Sequence, residues 1–167
     1  VANAWTTLTQ PPWMDYVSVP FHGYEHIIWD DVHDQLYIRQ QAVSNIKKWS
    51  GGGTWTDVDY SSTVAYAPAS VPICWFPELG ANGSIVVFQS NGSSPNGIVL
   101  GIDPITLTET TYASGATISP IGELHGFCQY NPTHQCVIFG SGNDGAVGIT
   151  REVWRLDSDG TVTQFRL

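Results

Sequence analysis

An internal repeat with a period close to 50 residues is the sequence feature that most limits how this chain can fold. Residues 29–38 align without gaps with residues 130–139, and both read as the end of one strand, a polar turn and a second strand. Residues 75–88 follow the same plan between them, with a slightly longer turn. A second likeness joins residues 4–8 to residues 54–58, at a spacing of 50 positions. Self-similarity at a fixed period indicates a fold built from repeated supersecondary units.

Alternating apolar residues and turn residues divide each period into four strand-like pieces. The predicted strands are residues 24–29, 35–41, 45–49 and 54–60 in the first unit, 71–76, 84–90, 97–103 and 107–113 in the second, and 125–130, 136–141, 151–157 and 161–167 in the third. One more strand, at residues 4–10, corresponds to the fourth strand of such a unit. Because no window keeps apolar residues at helical spacing beyond two turns, the sequence predicts an all-β fold.

Four strands in about 40 to 50 residues is the arrangement of a β-propeller blade. The pattern therefore predicts blades at residues 24–60, 71–113 and 125–167, and an outermost strand within residues 1–10 that completes another blade. A blade packs against neighbours on both faces, which explains the continuous apolar run at residues 85–88. A stacked β-sandwich also uses short strands at regular spacing and is the competing fold.

Two segments resemble known propeller families. Val-Ile-Phe-Gly at residues 137–140, followed by Val-Trp-Arg-Leu-Asp at residues 153–157, resembles a blade of the kelch or galactose-oxidase type. In those repeats a Gly pair ends the second strand, whereas here Gly140 is followed by Ser141. Ser-Gly-Gly-Gly-Thr-Trp at residues 50–55 is similar to the Asp-box turn of sialidase-like propellers, with Gly in place of its Asp. The resemblance implies a propeller architecture.

The charge balance excludes some classes of partner. The chain has 15 Asp and Glu against 6 Lys and Arg, which gives a net charge of −9. A surface that binds nucleic acid or anionic lipid needs clustered cations, and only Lys47 and Lys48 are adjacent. We therefore expect neither nucleic acid nor a membrane as a partner.

The three cysteines, Cys74, Cys128 and Cys136, do not have the spacing of zinc ligands. We expect buried free thiols. The alternative is a disulfide between Cys128 and Cys136, which could face each other across a predicted hairpin.

Aromatic residues at the ends of the predicted first strands are the strongest candidates for a ligand site. Trp29, Trp75, Phe76 and Tyr130 hold these positions, and His26 lies close by in the first unit. First strands are the innermost ones of a propeller, so their ends would meet at one rim of the central channel. Aromatic faces there suit sugar rings and peptide side chains. Packing between blades is the alternative role of each of these residues.

Acidic turns and repeated histidines are weaker signals. Asp157 and Asp159 belong to an Asp-Ser-Asp-Gly turn whose oxygens resemble calcium ligands, but this pattern is also common in plain tight turns. His33 and His134 occupy the same place in the repeat, which predicts a repeated structural role. We therefore expect no bound metal and no cofactor.

Function follows from these features only in outline. The sequence has no nucleophile elbow, P-loop or dinucleotide fingerprint. The favoured function is a non-catalytic module that presents rim loops to a protein or glycan partner. A glycosidase-like enzyme is the catalytic alternative, with Glu25, Glu78 and Glu123 as candidate carboxylates. A purely architectural subunit is the third hypothesis.

Three blades do not close a ring, because propellers have about four to eight. The chain begins without Met, so we expect a processed product or a piece of a longer protein. The remaining blades would come from the parent chain or from a second copy. A low Lys content and a surface rich in Ser, Thr, Asn and Gly resemble virion and extracellular propellers, which favours a virion or extracellular location.

Overall fold

Twelve β-strands and no helix make up the described part of the chain. The structure, a computed structural model, describes residues 26–39, 46–51, 53–58, 72–90, 97–115, 126–144 and 148–165. The strands are β1 (Ile27–Asp30), β2 (Gln35–Arg39), β3 (Ile46–Trp49), β4 (Trp55–Val58), β5 (Ile73–Phe76), β6 (Ser84–Ser90), β7 (Gly97–Ile102), β8 (Glu109–Gly115), β9 (Phe127–Asn131), β10 (Cys136–Asp144), β11 (Gly148–Asp157) and β12 (Val162–Phe165). The predicted strand at residues 4–10 lies outside these ranges. Accordingly, the described residues include no helix that is long and apolar enough to cross a membrane.

The strands form three four-stranded antiparallel sheets, each from one continuous stretch of chain. Sheet 1 contains β1 to β4, sheet 2 contains β5 to β8, and sheet 3 contains β9 to β12. Within each sheet, every strand pairs with the next one along the chain. The predicted all-β fold in four-stranded units is confirmed for the described residues.

Most strand boundaries differ from the predicted ones by a few residues, and two of these differences have an identifiable cause. Leu107 was expected to begin β8, but it has a left-handed φ of 58° and its N–H bonds the carbonyl of Asp103, so it belongs to the turn. The hairpin of β10 and β11 extends beyond the predicted end at Ser141, because pairing resumes after an irregularity between Gly140 and Gly142.

Sheet 2 is covered on both of its faces. Ile85 and Val87 of β6 pack in one cluster with residues of sheet 1 that include Tyr37. Val86 and Phe88 point to the opposite side and pack with sheet 3, where Phe88 stacks on Phe139 with ring centroids 4.2 Å apart. Side chains of successive strand residues alternate between faces, so burial of both faces requires apolar residues at every position. The continuous apolar run predicted to mark such a strand is therefore explained.

The outward faces of sheets 1 and 3 carry exposed apolar side chains. Strand alternation puts Ile27 and Trp29 on the face of sheet 1 that points away from sheet 2, and Phe165 on the corresponding face of sheet 3. These three side chains are 45 to 47 % exposed. Apolar surface of this kind marks a face that another element can cover.

Neighbouring sheets approach each other most closely along their first strands. β1 lies against β5, and β5 lies against β9. The fourth strands, β4, β8 and β12, form the opposite edges of the three sheets. The ends of β1, β5 and β9 are thereby brought together although they are far apart in the sequence.

The first turn of the repeat is built by a side chain that bonds the backbone. Asp30 Oδ1 accepts hydrogen bonds from the N–H groups two and three residues later, at 3.0 and 2.9 Å. Asn131 does the same in sheet 3, at 3.0 and 3.1 Å. His33 and His134 provide the second N–H group in each turn, and the His33 ring also bonds Asp30 Oδ2 through Nδ1. The sequence repeat thus corresponds to a repeated Asx turn.

Candidate functional site

A cleft of about 340 Å³ lies where the first strands of the three sheets meet. Three of the aromatic residues predicted to bind a ligand, Trp29, Trp75 and Tyr130, line it. Asp31 and Gln129 contribute polar groups to the same lining. Residues from all three sheets therefore converge on one concave surface.

The three aromatic residues hold equivalent positions. Each lies one residue before the end of its strand, Trp29 in β1, Trp75 in β5 and Tyr130 in β9. Each also pairs with an aliphatic residue near the start of the second strand of its sheet. The repeat thus places one aromatic side chain per sheet at the edge where the sheets meet.

Two of these aromatic residues bond to a carboxylate of the preceding sheet. The indole Nε1–H of Trp75 donates to Asp31 Oδ1 at 3.1 Å, and Asp31 lies in the turn after β1. The hydroxyl of Tyr130 lies 2.6 Å from both carboxylate oxygens of Glu78, in the turn after β5. Hydrogen bonds to a charged acceptor are stronger than neutral ones. Both bonds connect neighbouring sheets beside the cleft.

Trp29 differs from its two equivalents. Its side chain is 47 % exposed, whereas that of Trp75 is 7 % exposed. Within the described part of the chain, no carboxylate accepts a hydrogen bond from its indole N–H as Asp31 does from Trp75. Trp29 is therefore much more exposed than Trp75, and its exposed surface lies on the outward face of sheet 1.

The carboxylates give the cleft a negative potential. Desolvation, the hydrogen bond to Glu78 and the charges of Glu78 and Asp31 raise the pKa of Tyr130 to about 12. The hydroxyl therefore stays protonated at neutral pH and acts as a donor to Glu78. None of the described residues that line the cleft is a Lys or an Arg.

The other two candidate ligand residues lie outside the lining of the cleft. Phe76 is fully buried in the cluster between sheets 2 and 3, and its ring centroid lies 5.5 Å from that of Tyr130. His26 is also buried, just before β1, and its carbonyl accepts the backbone N–H of Arg39 at 2.8 Å. Phe76 thus supports the ring of Tyr130 from the core side.

The cysteines are free, buried thiols, as expected. Cys74 and Cys128 contribute to the lining of the cleft, and the Cys128 thiol donates to the carbonyl of Ile73 at 3.0 Å. Cys128 pairs across the hairpin with Phe139, and Cys136 pairs with Asn131. The two cysteines are therefore not opposite each other, and the alternative disulfide does not form.

The candidate cation ligands are engaged by neighbouring residues of the same hairpin. Arg155 Nε–H donates to Asp157 Oδ1 at 2.6 Å, and the N–H of Thr161 donates to Asp159 Oδ1 at 2.8 Å. Across the described ranges, no group of three or more His, Cys, Asp or Glu side chains is placed to hold a metal ion.

Among the candidate carboxylates for glycosidase chemistry, only Glu78 lies in the described residues. Glu25 and Glu123 fall outside them, so their separation from Glu78 is not defined. Asp31, in contrast, lines the cleft, although in the sequence it is only one of three aspartates, with Asp30 and Asp34, in an acidic turn. Its contact with Trp75 spans 44 positions in the chain and joins two sheets, which no local pattern indicates.

Comparison with known proteins gives no family for the chain. No protein-family model matches it, and no curated protein sequence matches it. The geometry and charge of the cleft therefore provide the main indication of function.

Proposed function

We propose that this chain is a β-propeller segment whose inner cleft binds a protein or glycan partner and catalyses no reaction. Three features support the propeller arrangement. Each sheet is a four-stranded antiparallel meander, sheet 2 is covered on both faces, and the sheets approach each other along their first strands. Blades of a propeller are related in the same way around a central channel.

One observation carries the binding role: the three equivalent aromatic residues converge on a single cleft. Ligand pockets have volumes of about 300 to 1,000 Å³, and the volume of this cleft falls within that range. Aromatic walls with a few polar groups are typical of such pockets. Trp29, Trp75 and Tyr130 supply the aromatic part of the lining, while Asp31 and Gln129 supply polar groups.

The state of the carboxylates favours binding over glycosidase chemistry. A glycosidase needs two carboxyl groups about 5 to 10 Å apart, of which one carries a transferable proton. Glu78 accepts a hydrogen bond from the hydroxyl of Tyr130, which lies close to both carboxylate oxygens. Asp31 accepts a hydrogen bond from the indole N–H of Trp75. Each of these carboxylates is therefore held as a hydrogen-bond acceptor beside the cleft.

Binding can be tested on arrays of defined oligosaccharides and defined peptides with a matched pair of variants. Trp29→Ala removes the exposed aromatic side chain of the cleft, and Phe165→Ala removes an equally exposed one from the far edge of sheet 3. We expect Trp29→Ala to weaken binding of the selected ligand at least about tenfold, which corresponds to about 1.4 kcal/mol, and Phe165→Ala to leave it unchanged. Equal effects of the two variants, or no ligand on either array, would refute the binding role.

Further sheets would cover the outward faces of sheets 1 and 3. The exposure of Trp29 is consistent with a further sheet that packs on sheet 1 on the side opposite sheet 2. The equivalent residues Trp75 and Tyr130 each donate a hydrogen bond to a carboxylate of the sheet that precedes theirs. In the gapless alignment of the repeat, Asp31 corresponds to Pro132. The first turn of sheet 3 therefore has no carboxylate at the position that Asp31 occupies in sheet 1. Sheet 3 of a second copy would therefore give Trp29 no carboxylate at that position. A different unit of the parent protein is favoured as the neighbour of sheet 1.

A further inference from the structure

The outward face of sheet 1 carries a row of large apolar side chains that crosses all four strands. Cross-strand pairing joins Trp29 to Leu36, Leu36 to Trp49, and Trp49 to Trp55, and we call these four residues the tryptophan row. Residues paired across neighbouring strands project from the same face of a sheet, so the whole row points away from sheet 2. The ring centroids of Trp49 and Trp55 lie 6.5 Å apart. The row therefore forms a broad apolar surface of the kind that packs against another sheet.

Two indole N–H groups of the tryptophan row lack an acceptor. The Nε1 atom of Trp49 is buried and has no hydrogen-bond partner in the part of the chain that the structure describes. Within the same ranges, Trp29 makes no hydrogen bond of the kind that Trp75 and Tyr130 make to a carboxylate. A buried donor without an acceptor is unfavourable. The surface that covers this row must therefore supply hydrogen-bond acceptors as well as apolar side chains.

The two sheet interfaces of this chain define which acceptor Trp29 requires. Trp75 belongs to the cluster between sheets 1 and 2 and donates to Asp31, in the turn after the first strand of sheet 1. Tyr130 packs against the cluster between sheets 2 and 3 and donates to Glu78, in the turn after the first strand of sheet 2. In both interfaces the carboxylate comes from the preceding sheet. Trp29 holds the equivalent position in sheet 1 and faces the side on which a preceding sheet would lie.

We propose that the tryptophan row docks a preceding four-stranded sheet of the parent protein, and that the turn after the first strand of that sheet carries an Asp or Glu that accepts the indole N–H of Trp29. This proposal rests on the proposed propeller arrangement and specifies the partner of sheet 1. The sequence also predicts the fourth strand of such a sheet at residues 4–10, ahead of sheet 1 in the chain. Sheet 3 of a second copy does not meet the requirement, because its first turn, residues 132–135, contains no Asp or Glu.

Solvent exchange of the indole N–H groups, followed by NMR in the complete natural protein, tests whether the row is covered. The signals of Trp29 and Trp75 are assigned by their disappearance in Trp29→Phe and Trp75→Phe. Trp75 is the internal reference, since it is 7 % exposed and bonded to Asp31. We expect the Trp29 N–H to exchange at least about tenfold more slowly than free indole and at a rate similar to that of Trp75.

A matched pair of substitutions tests the carboxylate. Trp29→Tyr keeps an aromatic donor, as Tyr130 provides in sheet 3, whereas Trp29→Phe removes the donor and leaves the neighbouring carboxylate without it. We expect Trp29→Phe to raise the equilibrium constant of unfolding of the complete protein about fivefold or more above that of Trp29→Tyr, because hydrogen bonds to charged acceptors are strong. The same two substitutions at Trp75, whose acceptor is Asp31, calibrate the difference.

The outcomes separate this proposal from the arrangement on which it rests. A protected Trp29 N–H with equal effects of Trp29→Phe and Trp29→Tyr would overturn the carboxylate contact and leave a covering sheet in place. A Trp29 N–H that exchanges as fast as free indole would overturn both the docking surface and the further sheet proposed beside sheet 1. Protection that is lost when dilution dissociates a dimer, detected by analytical ultracentrifugation, would assign the face to a second copy and overturn the proposal.

Discussion

The stacked pair of Phe88 and Phe139 provides a quantitative test that sheets 2 and 3 share one core. Both side chains are fully buried, and their rings lie 4.2 Å apart with an interplanar angle of 29°. We consider the single variants Phe88→Leu and Phe139→Leu and their combination. Leucine retains most of the apolar volume and removes the ring pair.

The expected magnitudes follow from this geometry. Each single substitution should lower the free energy of unfolding by about 1–2 kcal/mol, because a buried side chain becomes smaller and changes shape. An aromatic pair contributes about 0.5–1.5 kcal/mol beyond its buried area. The double variant should therefore lose less stability than the sum of the two single losses, by about that amount.

Urea unfolding monitored by tryptophan fluorescence and by circular dichroism measures these quantities. Ile105→Ala is the control, since Ile105 is exposed in the turn before β8 and its truncation should change stability by less than about 0.5 kcal/mol. Strict additivity of Phe88→Leu and Phe139→Leu would contradict the shared core. Separate unfolding transitions for the two probes would contradict it as well.

Three further predictions concern stability, pH and thiol access. Gly140→Ala should lower the free energy of unfolding, measured by urea titration, by about 1–3 kcal/mol. The added Cβ would collide with the carbonyl of Glu152, and the φ of +141° at this position is unfavourable for alanine. An unchanged free energy of unfolding would contradict the described hairpin. The raised pKa of Tyr130 means that the folded state holds the phenol proton more tightly, so this contribution to stability is present below about pH 10 and lost as pH rises towards 12. Tyr130→Phe should therefore reduce the fall in melting temperature over that range, and an unchanged fall would contradict the described site. The three buried thiols should react with Ellman's reagent only after unfolding, and rapid reaction of the native protein would contradict their burial.

The sequence predicted the strands well because the burial pattern is local. The run at residues 85–88 is apolar at every position, and the structure buries all of it between two sheets. Leu107 shows the limit of such patterns. An apolar residue after a turn was read as the start of a strand, but its left-handed φ depends on the turn geometry that Asp103 imposes.

The candidate site was predictable in part. The repeat identified Trp29, Trp75 and Tyr130 because they occupy equivalent ends of first strands. It did not separate Trp75 from Phe76, since neighbouring strand residues point to opposite faces and both faces of sheet 2 are covered. The bond between Tyr130 and Glu78 spans 52 positions and depends on how two sheets pack, so no sequence pattern indicates it.

The most direct test of the proposed propeller arrangement compares two spin-label distances by pulsed electron paramagnetic resonance. One label pair, Ile27→Cys and Gln129→Cys, reports the separation of first strands β1 and β9. The other, Thr56→Cys and Thr163→Cys, reports the separation of fourth strands β4 and β12. The native cysteines are buried and should remain unlabelled. Strands about 4.8 Å apart in blades that fan out from an axis make the second distance longer by roughly 20 Å. Equal distances would mean that the sheets stack in parallel as in a sandwich, and would contradict the proposal.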